Sequence, residues 1–139
     1  MSDASRSGDP IGSAIEHARY ALAAVDADDP ATALPRLREA QELITAAIDE
    51  AMAAAVVDGE TLRSAGQLAG LSENAVGPRL ARTRTLAAYQ SEEGRVTAAG
   101  IERARYDVEQ GRHQPLAPGA APPAPMRFRP RRPGTGPTT

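Results

Sequence analysis

Apolar residues recur at helical spacing through most of the first 110 positions, and no stretch alternates in the two-residue rhythm of a strand. Ile11, Ile15, Ala18, Leu22 and Val25 form a first stripe, opened by Pro10 and closed by the acidic run Asp26 to Asp29. Pro30 and Pro35 then punctuate a short linker, with Pro35 tolerable in the first turn of the next helix. That second helix is expected to reach about Val57. Leu37, Gln41, Ile44, Ile48, Met52 and Ala55 share its main stripe, with Leu43, Ala47 and Ala51 alongside. Arg38, Glu39, Glu42, Asp49 and Glu50 take the opposite face. Asp58-Gly59 ends it, Gly59 suiting a left-handed cap. The short connection implies an antiparallel hairpin, in which the longer second helix overhangs the first. Its unmatched apolar end must pack on the following helices or on a second copy of the chain.

Further along, Thr61 to Ala69 reads as a third helix, Glu73 to Tyr89 as a fourth, and Ser91 to Gly94 as a break. Val96 to Gln110 reads as a fifth, with Val96, Ile101, Ala104 and Val108 on one side and Gly100 as its weak point. Residues 1–9 are polar, and the chain from Gln114 onward holds eight prolines and three glycines; both ends are expected to be disordered. The fold class that follows is all-α. A helical hairpin occupies residues 10–58, a helix-turn-helix with a following helix occupies 59–112, and a disordered basic, Pro-rich tail occupies 113–139.

Composition changes this picture in two ways. The net charge of -2 hides a division: residues 1–60 carry 12 acids against four arginines, and residues 61–139 carry 12 arginines against six acids. The first half repels a phosphate backbone and the second attracts it. Every basic residue is Arg, which suits phosphate and carboxylate contacts. The absence of Cys excludes disulfides, thiolate metal sites and a cysteine nucleophile. No apolar leader opens the sequence, and the Ala-rich stretch Thr45 to Val57 is interrupted by Asp49 and Glu50 and too short to span a bilayer, so a cytoplasmic protein with no membrane partner is expected.

The densest local signal is AGLSENAVGPRLARTRTL, Ala69 to Leu86. Gly70 supplies the positive φ that a tight interhelical turn needs. Leu71 can plug the core, and Ser72 is a good N-cap whose hydroxyl can accept from the first turn. Glu73 suits the helix dipole. Val76, Leu80, Thr83 and Ala87 fall on one stripe facing the third helix, answered there by Ala65, Leu68 and Ala69. This run resembles the helix-turn-helix of the fourth region of extracytoplasmic-function sigma factors and related actinobacterial helix-turn-helix modules. Gly70, Ser72, Glu73, Val76, Arg79, Leu80, Arg82 and Arg84 match that pattern, with Leu71 and Ala75 as close replacements. The rest of the chain shows no second-region sigma domain.

The resemblance implies that the face around Glu73, Asn74, Gly77, Pro78 and Ala81 looks into the major groove of double-stranded DNA. It also implies that Arg79, Arg82 and Arg84 take phosphates or base edges. Asn74 suits bidentate reading of adenine, and Arg63 with Ser64 lies where a preceding helix touches the backbone. Gly77-Pro78 stands where the family carries a polar pair. Pro78 removes one helical hydrogen bond, at about 3 kcal/mol in an ideal interior.

Other features point to less. Glu16 and His17 are neighbours and diverge on a helix. Two His and no Cys leave little for a metal site, and no phosphate loop, nucleophile elbow or paired-carboxylate motif is present. Neither cofactor nor enzymatic activity is expected. Arg127, Arg129, Arg131 and Arg132 in the tail can add phosphate contacts or remain solvated. The expected function is a small DNA-binding regulator or accessory factor inserting helix 73–89 in the major groove, with a homodimer formed through the long second helix. The alternative is a non-enzymatic module binding a protein partner through its hairpin.

Overall fold

The structure, a computed structural model, describes residues 9–113 and 115. Among these it is all-helical, with no strand: α1 (Pro10–Ala23), α2 (Pro30–Val57), α3 (Leu62–Ala69), α4 (Glu73–Leu80), a 3-10 turn over Ala87–Tyr89, and α5 (Ala98–Glu109). The tail arginines Arg127, Arg129, Arg131 and Arg132 lie outside the described residues.

Local chemistry starts each helix. Asp9 caps α1, its carboxylate accepting from the Ile11 amide at 3.0 Å, with Pro10 in the first helical position. Asp29 caps α2 in the same way. It accepts the Thr32 hydroxyl at 2.6 Å and the Thr32 amide at 3.4 Å, and these bonds hold its carboxyl below the ordinary value. The acidic run therefore ends one helix and begins the next, and Pro30, not Pro35, opens α2. The second helix is 28 residues long and carries Pro35 inside it. Pro35 leaves the Ala31 carbonyl without a helical donor, but this part of α2 is exposed and water can take that place.

The core gathers at the far end of α2. Met52, Ala53 and Val56 pack there with Ala65 of α3, Val76 and Leu80 of α4, Leu86 and Tyr89 of the following segment, and Val96, Ile101 and Ala104 at α5. Arg105 on α5 locks this end. Its guanidinium donates to the Val56 carbonyl from two nitrogens, at 3.0 and 2.8 Å, and to the Glu60 carbonyl at 3.1 Å, capping the last turn of α2 with a cation. α1 packs along α2 and adds nothing to that core. The hairpin seam instead buries Ala18, Ala21, Ala33 and Ala40. Val96 is buried just ahead of α5, whose first turn is capped by Thr97.

Candidate nucleic-acid interface

The turn between α3 and α4 forms as its residues require. Gly70 adopts φ 74 and ψ 28, the left-handed conformation, and the Leu71 amide returns to the Gly66 carbonyl at 2.8 Å. Leu71 packs against the core, and Val76, Leu80, Thr83 and Ala87 are all buried. Leu68 is not: it stands 78% exposed instead of answering α4. Ser72 has the extended backbone of an N-cap, but its hydroxyl makes no capping bond.

α4 is shorter than its periodicity suggests, ending at Leu80 and not Tyr89. Pro78 cannot donate to the Asn74 carbonyl; the Arg95 guanidinium reaches that carbonyl instead, at 3.4 Å. The Val96 amide bonds the Gly77 carbonyl at 3.0 Å. A methyl group on Gly77 would sit 3.1 Å from the Val96 carbonyl oxygen, so a larger residue there would push this segment back by a few tenths of an ångström. The stop itself is made by Thr83, whose hydroxyl donates to the Leu80 carbonyl at 2.6 Å and accepts from the Leu86 amide at 3.1 Å.

Two carboxylates from α2 hold the rest. Glu50 accepts the Arg84 amide at 2.6 Å and the Thr85 hydroxyl at 3.2 Å. Asp49 meets Arg79 at 2.6 Å, with only 13% and 22% of the two side chains exposed. Burial pushes the Asp49 carboxyl up, against the opposing pull of Arg79 and Arg82. Both acids were expected on the outer face of α2, and both are buried. One cue for them is visible in the sequence: they are the only charges in the Ala-rich stretch 45–57, a setting that water-facing acids do not need.

These contacts divide the expected DNA-facing residues. Gly77 and Ala81 are buried, with the Arg95–Val96 segment against Gly77. Arg79 is turned onto α2. Arg84 has its backbone engaged and its side chain half-buried. Ser72, Glu73, Asn74 and Arg82 stay at the surface. Arg63 is exposed too and meets Glu73 at 3.3 Å across the outer edges of α3 and α4. The structure therefore leaves Arg63, Glu73 and Asn74 exposed on the helix pair, places Arg82 at the surface beyond the end of α4 and beside Glu42, Asp49 and Glu50 of α2, and withdraws Arg79. No three His, Asp or Glu side chains come together as a metal group among the described residues, and no helix there is long and apolar enough to cross a membrane. Comparison with protein-family models, curated proteins and solved structures returns no match.

Proposed function

We propose that this chain is a small DNA-binding helix-turn-helix protein, a transcriptional regulator or accessory factor, that presents α4 to the major groove of double-stranded DNA. The observation carrying this reading is the pair of short helices joined through left-handed Gly70, with Asn74 exposed in the first turn of the second and Arg82 exposed just beyond its end. Asn74, in the first turn of α4, is the candidate base contact. Arg82 and Arg63 are the candidate phosphate contacts, joined by the tail arginines. Arg79 is assigned a positioning role: through Asp49 it ties the last turn of α4 to α2.

The reading is tested by fluorescence anisotropy on duplexes selected from a random pool by the full chain. Asn74→Ala is expected to flatten the preference among sequences. Arg82→Ala is expected to weaken all duplexes alike and to reduce the slope of log K against log salt by about 0.9. A folded Asn74→Ala/Arg82→Ala double variant with unchanged affinity and slope would sink the proposal. The alternative, a protein-binding hairpin without DNA contact, is favoured by one specific observation, the exposed apolar seam of α2.

A further inference from the structure

The outward seam of α2 has a period of its own. Leu34, Leu37, Gln41, Ile44, Ile48, Ala51 and Ala55 alternate in steps of three and four, the a/d pattern of a helix that supercoils against another helix. Intramolecular packing leaves much of it exposed. Leu34 is 67% exposed, Leu37 45%, Ile44 43% and Ile48 37%, while the seam with α1 is made of alanines. Toward the core the seam runs into an apolar groove of about 370 Å³ between α2 and α3, rimmed by Ile48, Met52 and the exposed Leu68.

We propose that this seam pairs with the same seam of a second copy of this chain, with the two α2 helices parallel. Three features choose this occupant. First, the exposed apolar side chains from Leu34 to Leu68 offer on the order of 500 Å² per copy, which matches the apolar share of a homodimer interface burying about 800 Å² on each side. Second, charge does not oppose self-pairing, although this half of the chain is strongly acidic. The positions of α2 flanking the seam are Arg38, Thr45 and the core-buried Met52 on one side and Ala33, Ala40 and Ala47 on the other, the first two buried in the hairpin seam, so α2 itself brings no like charges across the axis. Third, Gln41 is the one polar residue in the seam. In a parallel pair it faces its own counterpart, and the two amides satisfy each other. In an antiparallel pair it faces Ile44 and is buried without a partner.

The pairing stands on the arm alone and does not require the DNA reading. It adds to that reading by placing two helix-turn-helix units at the same end of the assembly, which multiplies weak single contacts. The test uses the full chain without DNA, so its failure is separate from a failure of DNA binding. Light scattering at micromolar concentration is expected to give twice the 14.5 kDa chain mass, and Leu37→Glu/Ile44→Glu is expected to give the monomer. Because the chain has no cysteine, Leu34→Cys and Ile48→Cys report orientation. A parallel pair oxidises to a crosslinked dimer at each position. A dimer that crosslinks only when Leu34→Cys is mixed with Ala51→Cys overturns the parallel arrangement. A monomer overturns the pairing, and a monomer whose Leu34→Cys resists thiol labelling assigns the seam to another segment of the same chain.

Discussion

At the scale of single residues, the buried carboxylates of α2 decide more than the arginines they hold. Glu50 is the acceptor for an amide and a hydroxyl of the Arg84–Thr85 segment. Glu50→Ala removes one acceptor shared by the Arg84 amide and the Thr85 hydroxyl and is expected to cost about 1–3 kcal/mol in urea unfolding, whereas Glu42→Ala, on the exposed face, should change stability by under about 0.5 kcal/mol. Tyr89 behaves differently. Burial, then its hydrogen bond to the Asp107 carboxylate at 2.7 Å, pushes its phenol from 10.0 up to about 12. A folded value above the unfolded one means that this group's contribution is complete below pH 10 and is lost as the pH rises toward 12. Urea midpoints across that window should fall for the natural chain and fall less for Tyr89→Phe.

At the scale of elements, α4 shows how a helix of good periodicity is cut short. Val76, Leu80, Thr83 and Ala87 keep facing the core after the helix has ended, because the chain continues in tight turns and a 3-10 segment that preserve the same inward side. Periodicity alone therefore locates the buried residues correctly and the helix end wrongly. The end is held by the Thr83 hydroxyl, which no spacing rule reports. Thr83→Val keeps the shape and removes both bonds. It is expected to cost about 1–3 kcal/mol and to abolish slow hydrogen exchange at the Leu86 amide. Gly100, which looks like a weak point in α5, is instead a close-packing position, since a methyl group there would lie 2.5 Å from the Tyr89 carbonyl oxygen.

At the scale of the molecule, stability is unevenly distributed. The core joins the last turns of α2 to α3, α4 and α5, while the hairpin arm buries little besides alanine, and each alanine removes little apolar area from water. Hydrogen exchange should follow this division: fast in α1, slow around Val56, Leu80 and Ile101. The proposed pairing makes that gradient depend on association. Amides of α1 and of the first half of α2 should slow with protein concentration in the natural chain and stay fast in Leu37→Glu/Ile44→Glu.

Helix content and the left-handed turn at Gly70 are legible in the order of residues. Each depends on contacts within a few positions, where side-chain type and backbone preference act directly. The exposure of Asn74 follows from the same local register. The fates of Arg79 and of the Arg84 amide do not, because their partners Asp49 and Glu50 stand 30 and 34 positions away. The covering of Gly77 likewise needed the return of Arg95 and Val96 from beyond the 3-10 turn. Short-range chemistry built the helix-turn-helix. Only the packing of α2 beneath it determined which arginines remain at the surface, since a buried carboxylate can claim whichever cation the fold delivers to it.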